Sequence, residues 1–292
     1  MKVIIFGGSG FLGSHVADVL TNAGHNVTIY DLKKSPYLMD TQEMIVGDIL
    51  DVDRVEEAVK NADIVYNFAG IADIDEASKK PLESIKYNIV GNSIILEACR
   101  KENIKRFVFA SSLYVYSKAG SFYRSTKQAC ELLIENYHEV FGLNYTILRY
   151  GSLYGPRADE RNFIHKILKQ ALIEGKITRE GDGEELRDYI HVMDAARGSV
   201  EILADEFANQ HVILVGNQQM RIKDLLIMIK EMLDNKIEIE FIPTTDSLHY
   251  EITPYSFAPR VGKRLTSRTY LDLGQGILDC IYDIYKQINP KP

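Results

Sequence analysis

The chain has 292 residues, of which 46% are hydrophobic and 26% charged, a composition typical of globular proteins with material for one or two packed cores. The formal net charge is -7 and no basic block occurs, which argues against nucleic acid or a membrane surface as a partner. No apolar run can span a bilayer, and the N-terminus reads as a strand rather than a signal peptide. The three cysteines are expected to be reduced and mostly buried, as in a cytoplasmic protein, and we expect no metal site.

Short β-branched runs alternate with helical stretches in the first half of the chain. This alternation predicts an α/β fold of the Rossmann type, a doubly wound parallel sheet with helices on both faces. Strands are predicted at residues 3–6, 27–30, 44–46, 64–68, 107–110 and 145–148, and helices at residues 11–22, 53–60, 82–102 and 123–141.

The pattern loosens after Arg149, where glycines separate shorter elements. We therefore expect residues 151–292 to form a smaller region that packs over the carboxyl edge of the sheet built by residues 1–150, with some segments returning to that sheet. Ligands of doubly wound folds bind at this edge. A last helix is predicted from residues expected to share one apolar face, namely Ile277, Leu278, Ile281, Ile284, Tyr285 and Ile288.

The first strand runs directly into the pattern Gly7-x-x-Gly10-x-x-Gly13, at the start of the first helix. Glycines permit a tight turn there and let backbone N–H groups, including those of Phe11 and Leu12, approach a pyrophosphate. Asp31 ends the second strand, where a carboxylate accepts hydrogen bonds from ribose hydroxyls and repels a 2′-phosphate. The pattern predicts a dinucleotide site that prefers NAD to NADP, with an empty glycine-rich turn as the alternative.

Two further strand ends are candidates for cofactor contact. Asp48 and Ile49 follow the third strand, where an adenine ring would lie, although an ordinary strand-end carboxylate fits the position equally well. The fourth strand closes with Phe68, Ala69 and Gly70, and small residues at this point leave room for a dinucleotide or simply turn the chain.

Tyr123 and Lys127 are four residues apart on a predicted helix and therefore share one helical face. An ammonium beside a phenol stabilises the phenolate; lowering a tyrosine pKa from about 10 to about 7 requires about 4 kcal/mol. Such a phenolate can accept the proton of a hydroxyl group, while Ser112, at the end of the fifth strand, can orient the same oxygen. Combined with a dinucleotide site, this set predicts hydride chemistry on an alcohol or ketone.

Over most of its length, to about residue 235, the chain resembles the extended short-chain dehydrogenase/reductases, the family of nucleotide-sugar epimerases and dehydratases. In its motifs it looks most like UDP-galactose 4-epimerases. The resemblance rests on the glycine pattern, on the Tyr-x-x-x-Lys pair, and on six further segments, namely residues 47–49, 68–70, 88–91, 111–116, 148–156 and 187–194.

The resemblance implies roles for further residues. Asn88 matches the active-site asparagine of the family, and Tyr150 lies in the segment that leads into the substrate region and contacts the cofactor. Arg187 matches the arginine that clamps the diphosphate of a nucleotide sugar, with a salt bridge to Asp194 or a neighbour as the structural alternative. Ser152 and Arg260 are further candidates for substrate contact.

Several positions depart from the family pattern. Leu113 and Tyr114 stand where family dehydratases carry an Asp-Glu pair and decarboxylases keep the Glu, which disfavours both reactions. Ser152 replaces the usual Asn, the spacing from Ser112 to Tyr123 is short, and 255–260 differs from the epimerase ending.

These features favour an NAD-dependent 4-epimerase of nucleotide-diphosphate sugars that oxidises C4 transiently. An NAD(P)-dependent 4-ketoreductase or dehydrogenase is the nearest alternative, a 4,6-dehydratase or decarboxylase is less favoured, and a non-catalytic NAD(P)-sensing module is the alternative of a different class. By resemblance, we expect a homodimer through helices 82–102 and 123–141; the alternative is that their apolar faces are buried within one chain.

Overall fold

The computed structural model describes residues 1–243, 263–265 and 269–289. The strands are β1 (Lys2–Phe6), β2 (Asn26–Asp31), β3 (Glu43–Val46), β4 (Ile64–Asn67), β5 (Arg106–Ser112), β6 (Tyr145–Tyr150), β7 (Ser152–Tyr154), β8 (Lys176–Glu180), β9 (Leu186–His191), β10 (Gln210–Leu214), β11 (Gln219–Arg221), β12 (Glu238–Ile242) and β13 (Lys263–Arg264). The α-helices are α1 (Phe11–Asn22), α2 (Val52–Val59), α3 (Ile74–Lys79), α4 (Pro81–Ser84), α5 (Gly91–Lys101), α6 (Ser121–Phe141), α7 (Phe163–Glu174), α8 (Val192–Glu201), α9 (Ile222–Met232) and α10 (Leu273–Ile288).

An eight-stranded parallel sheet forms the centre of the described chain, in the order β3-β2-β1-β4-β5-β6-β10-β13. The predicted doubly wound α/β fold is confirmed. The order reverses between β1 and β4, so their carboxyl ends form the crevice where ligands of such folds bind. β10 and β13 come from the second half of the chain and extend the sheet beyond β6.

Two apolar cores cover the two faces of this sheet. On one face, Val16 and Leu20 of α1 pack with Ala195 and Ala196 of α8. On the other face, residues of α2, α5 and α6 surround the buried side chains of β4 and β5. A third core joins α7, α9 and α10 to β8 and β9 in the C-terminal region.

The predicted helix at 82–102 is interrupted by a π-helical turn. The chain runs from α4 through a π-helix at Ile85–Val90 into α5. A π turn inserts an extra residue per turn and is frequent at functional sites. Hydrophobic periodicity could not predict it, since the apolar pattern continues through it.

The single apolar face predicted for the last helix is wrong in part. Ile277 and Ile284 are buried, whereas Leu278, Tyr285 and Ile288 are exposed. The buried face of α10 also includes Leu273, Gly276 and Cys280; along this face the buried residues follow one another at three- and four-residue spacings, from Leu273 to Gly276 and Ile277, then to Cys280 and Ile284. All three cysteines are free and buried, as expected.

Candidate active site

The glycine-rich turn is packed against the end of β4. Gly7 has φ +78°, and a Cβ there would lie 2.6 Å from the backbone N of Ala69. At Gly13 a Cβ would lie 2.3 Å from the carbonyl oxygen of Gly7. Any side chain at either glycine would therefore force backbone apart, and the glycines make the close approach of α1 to the turn possible.

The N-terminus of α1 has no side-chain cap. Gly10 is the N-cap residue, and the next residues are Phe11 and the buried Leu12. The first N–H groups of a helix have no intrahelical acceptor, and together with the helix dipole they attract an anion. These backbone groups are where the structure offers a cradle for pyrophosphate.

Asp31 stands at the carboxyl end of β2 and organises the same turn. Its Oδ2 accepts a hydrogen bond from Ser9 N at 3.0 Å, and its Oδ1 accepts from Lys33 N at 3.3 Å. The carboxylate is partly exposed beside the glycine-rich turn. It is thus placed where a ribose could reach it.

The ends of β3 and β4 border the same crevice. Asp48 Oδ1 accepts a hydrogen bond from Leu50 N at 3.0 Å, and Ile49 is buried against Gly91. After β4, Phe68 and Ala69 are partly buried, and Gly70 is exposed with φ +135°.

Asn88 lies in the π-helical turn, and its side-chain amide forms hydrogen bonds with the backbone of the loop after β4. Its Oδ1 accepts from Ile71 N at 2.7 Å, while its Nδ2 donates to Ile71 O at 3.0 Å and to Thr126 Oγ1 at 3.0 Å. Asn88 therefore ties the loop after β4 to α6, the helix that carries Tyr123. This geometry supports a positioning role for Asn88.

Ser112 is the last residue of β5 and is buried. Its Oγ accepts a hydrogen bond from Tyr114 N at 3.3 Å, which begins the 3₁₀ turn Leu113–Tyr116. A hydroxyl that accepts one bond can still donate its own proton.

Tyr123 and Lys127 lie on the buried face of α6, as their spacing predicts. Lys127 is 7% exposed, its Nζ donates to Ala110 O at 2.7 Å, and it lies 5.8 Å from the Tyr123 ring centroid. Burial lowers the pKa of Lys127, while the charges of Cys130 and Glu131 act in the opposite direction. The structure thus brings an amine and a phenol together at the carboxyl end of β5.

Tyr150 ends β6 directly opposite Ser112 in the strand register. It is buried, and its hydroxyl lies 2.6 Å from Ser199 Oγ of α8. Burial raises its pKa. The Tyr150 hydroxyl is therefore engaged with α8.

The candidate substrate residues lie in the smaller region. Ser152 begins β7 and is paired with Tyr189 of β9, and Arg187 is a buried residue of β9. Asp194 accepts hydrogen bonds from Arg197 and from Leu271 N. Arg260 lies outside the described residues.

A cavity of about 250 Å³ separates the end of β9 from the start of α10. Its lining includes Tyr154, His191 and Asp194, and burial lowers the pKa of His191 to about 4. None of the predicted catalytic residues lines this cavity.

Sequence reasoning missed a buried carboxylate next to the candidate catalytic pair. Glu131 lies one helical turn beyond Lys127 and bonds Ser111 and Arg149. The i, i+4 rule that joins Tyr123 to Lys127 reaches Glu131 as well. The sequence therefore predicts that Glu131 shares a helical face with Lys127, but it does not predict the hydrogen-bond partners of Glu131.

The residues present fit a dinucleotide. The turn has two glycines whose Cβ atoms would collide with backbone, the helix that follows is uncapped, and a carboxylate stands at the end of β2. No cluster of three or more metal-binding side chains occurs among the described residues, and none of the helices described there could cross a membrane.

Comparison with known proteins agrees with this arrangement. A sequence model of the NAD dependent epimerase/dehydratase family matches residues 3–216. The chain belongs to that family, and the predicted NAD-dependent enzyme class of extended short-chain dehydrogenase/reductases is confirmed.

Individual relatives carry different activities. The chain is 30% identical over 269 residues to a UDP-N-acetyl-alpha-D-glucosaminuronate decarboxylase of Bacillus cytotoxicus, covering 83% of each chain. It is 29% identical over 277 residues to a UDP-glucose 4-epimerase of Corynebacterium glutamicum, covering 83% of this chain and 84% of the relative.

Solved structures share the whole fold. A UDP-glucose 4-epimerase of Thermotoga maritima with UDP-glucose superimposes with a TM-score of 0.87 at 23% identity, over 99% of this chain and 100% of that one. A UDP-glucuronic acid 4-epimerase of Bacillus cereus in complex with UDP-glucuronic acid and NAD gives a TM-score of 0.83 at 25% identity, over 98% of this chain and 100% of that one.

Proposed function

We propose that this protein is an NAD-dependent 4-epimerase of nucleotide-diphosphate hexoses. The observation that carries the proposal is the buried Tyr123–Lys127 pair beside Ser112, next to a turn whose first two residues, Leu113 and Tyr114, have no carboxyl group. Epimerisation at C4 needs proton transfer at one hydroxyl and no additional carboxylic acid.

The residues have the following roles in this proposal. Tyr123 accepts the proton of the C4 hydroxyl, and the positive charge of Lys127 favours the phenolate that does so. Ser112 donates a hydrogen bond to the same substrate oxygen and orients it. NAD, when bound, supplies reversible hydride acceptance. Tyr123 returns the proton when the keto sugar has turned over in the site.

We assign the cofactor contacts to the crevice at the carboxyl ends of β1 to β4. The N–H groups of the glycine-rich turn and of α1 bind the pyrophosphate, and Asp31 accepts hydrogen bonds from the adenosine ribose. The remaining contacts in this assignment come from Asp48, Ile49, Phe68, Ala69, Gly70 and Tyr150.

The substrate in this proposal lies between the sheet edge and residues 151–292. Arg187 suits a diphosphate because a guanidinium forms paired hydrogen bonds to phosphate oxygens. Relatives that act on UDP-glucose support UDP-hexoses as the first substrates to test. Ser152 is the proposed neighbour of the nucleotide, with a shorter reach than an asparagine.

Decarboxylation is the second candidate because of the Bacillus cytotoxicus relative. Leu113 has no ionisable group, and it is buried in an apolar cluster with Val115 and Ile213. The Tyr114 ring lies 6.1 Å from the Tyr123 ring at 80°, which places a second phenol beside the first. A phenol there supports epimerisation over a reaction that uses a carboxyl group.

Two measurements on one preparation test the proposal. The protein is denatured without added cofactor and the released nicotinamide is identified by mass spectrometry. UDP-glucose, UDP-galactose and UDP-glucuronic acid are then incubated with native enzyme and the products resolved by NMR. Bound NAD with C4 epimers as products is the expected result.

The variant Tyr123→Phe is the matched control, since it removes one oxygen from the site. We expect it to lose at least 100-fold in rate while still binding NAD. Carbon dioxide release from UDP-glucuronic acid would replace the epimerase proposal with a decarboxylase. An enzyme that consumes NADPH would replace it with a ketoreductase.

We also propose that the protein is a homodimer through α4, the π turn before α5, and α6. Leu132 is 58% exposed on α6, and the other exposed apolar side chains of these helices and the π turn are Leu82, Ile85, Val90, Phe122, Val140 and Phe141. Apolar surface shared by neighbouring helices marks an interface. Leu132→Glu is expected to give monomers in analytical ultracentrifugation. The control Ile173→Glu, at an equally exposed site on α7, is expected to leave the mass of the assembly unchanged. A monomeric wild type would refute the proposal.

A further inference from the structure

Helix α6 presents a buried stripe of titratable side chains to the sheet. Tyr123, Lys127, Glu131 and Glu135 follow one another at four-residue spacing, and all four are buried. Residues at this spacing lie above one another on one helical face. The proposed catalytic pair is therefore the first half of a longer polar row.

Glu131 makes three hydrogen bonds in this interior. Its Oε1 accepts from Ser111 Oγ at 2.5 Å and from Arg149 Nε at 3.1 Å, and its Oε2 accepts from Arg149 Nη2 at 2.6 Å. The paired contacts to one guanidinium fix the carboxylate in angle as well as in distance.

The partners of Glu131 are the neighbours of residues already assigned to the site. Ser111 precedes Ser112 on β5, and Arg149 precedes Tyr150 on β6. In the register of the two strands, Ser111 lies opposite Arg149. One carboxylate thus connects α6 to the carboxyl ends of both strands that border the proposed catalytic centre.

The charges around this row are nearly balanced. Arg149 also donates to His211 Nδ1 of β10 at 2.7 Å and to Tyr116 Oη, and His211 Nε2 lies 2.9 Å from Glu135. Burial and the charge of Arg149 lower the pKa of His211 to about 4, so this imidazole is neutral. The other titratable or charged groups that face the row are Cys130 of α6, Tyr116 of the 3₁₀ turn after β5, Tyr145 and Arg149 of β6, and His211 of β10.

We propose that Glu131 is a positioning residue that keeps Lys127 cationic beside Tyr123. The inference rests on the proposed function of the pair. Lys127 is buried, and burial favours its neutral form, so a nearby negative charge is needed to keep the ammonium that stabilises a phenolate. Glu131 supplies that charge from the next turn of α6, and Arg149 and Ser111 hold it in place.

Loss of the Glu131 charge is expected to destabilise the ammonium form of Lys127. In Glu131→Gln the negative charge is lost and the charge of Arg149 remains, so Lys127 gives up its proton at lower pH. The titration midpoint of Lys127 is then expected to fall by about one pH unit, because the two side chains lie one helical turn apart on the same buried face, where charges interact at an effective dielectric constant of about 20.

The test reads Lys127 directly in the NAD-loaded enzyme. Lysine labelled with ¹³C at Cε is followed by NMR against pH, and the signal of Lys127 is identified by its absence in Lys127→Met. Glu131→Gln is expected to lower the titration midpoint, and Glu131→Asp, which keeps the charge, to restore most of it. Glu135→Gln is the matched control, the same change one turn further from Lys127, and is expected to shift the midpoint far less.

Arg149→Met keeps the proposal falsifiable if Glu131→Gln does not fold. It removes a positive charge and is expected to move the midpoint upward, a reversal that a merely structural role does not produce. An unchanged midpoint in Glu131→Gln, or equal shifts in Glu131→Gln and Glu135→Gln, would overturn the proposal. A shifted midpoint in a protein that epimerises no nucleotide-diphosphate hexose would instead leave this inference standing and refute the proposed function.

Discussion

Replacing Lys127 by methionine removes the charge beside Tyr123 at nearly constant volume. The Nζ atom lies 5.8 Å from the centroid of the tyrosine ring. At that distance two unit charges interact by about 3 kcal/mol at an effective dielectric constant of about 20, which corresponds to about two pH units. Lys127→Met is therefore expected to make the phenolate of Tyr123 harder to form by this amount.

The sign of the effect follows from the form of Tyr123 that reacts. In the proposed mechanism Tyr123 accepts a proton as phenolate, so activity is expected to fall as pH falls and the phenol becomes protonated. Without the ammonium, this acid limb moves upward by about two pH units, and the rate at pH 7 falls about 100-fold.

The assay is the pH dependence of kcat for interconversion of UDP-glucose and UDP-galactose. Lys86→Met is the matched control, because the Lys86 Nζ lies 5.9 Å from the Tyr87 ring but at an exposed position. Water screens that pair, so its profile is expected to follow wild type. A Lys127→Met enzyme with an unshifted acid limb would refute the electrostatic reasoning, even if its rate were low.

Three further predictions concern the cofactor and the buried ion pair. Gly13→Ala places a Cβ 2.3 Å from Gly7 O and is expected to abolish NAD binding, measured by calorimetry. Gly24→Ala is the control, because a Cβ at Gly24 meets no neighbouring atom. It is expected to lower the free energy of unfolding by about 1 kcal/mol, because Gly24 has a positive φ, and to leave the NAD affinity unchanged. Asp31→Asn removes the charge that repels a 2′-phosphate and is expected to raise the NADP to NAD affinity ratio at least 10-fold; an unchanged ratio would contradict its role. Glu131→Gln leaves the guanidinium of Arg149 buried without its carboxylate. The free energy of unfolding is expected to fall by about 3–5 kcal/mol and Tm by about 5–8 °C. Combining Glu131→Gln with Arg149→Met is expected to recover most of the loss in a thermal melt.

Local spacing predicted the parts of the site that lie on single elements. The Tyr123–Lys127 pair needed only the helical repeat, and the glycine turn needed only a strand followed by a helix. The six predicted strands are present, with β5 and β6 extended to Ser112 and Tyr150. These two ends form a register pair, which is a relation between elements and is invisible to periodicity.

Contacts between distant segments could not be predicted in the same way. Asn88 was placed in the site by resemblance, but its bonds to Ile71 and Thr126 depend on how the π-helical turn meets α6. Glu131 lies on the predicted stripe, yet its pairing with Arg149 requires β6 to pack under that helix. For α10 the apolar pattern was too broad, and packing against α7 selected which residues became buried.

The turn after β5 limits which additional chemistry the site can acquire. Leu113 is fully buried among apolar side chains, so a carboxyl group at that position would lose its hydration without gaining a partner there. The Tyr114 ring packs closely against Gly120, where a Cβ would lie 2.6 Å from the ring. Gln128 Nε2 donates to Val115 O at 2.8 Å and fixes the turn to α6. The turn therefore presents the phenol of Tyr114 to Tyr123, and neither Leu113 nor Tyr114 supplies a carboxyl group.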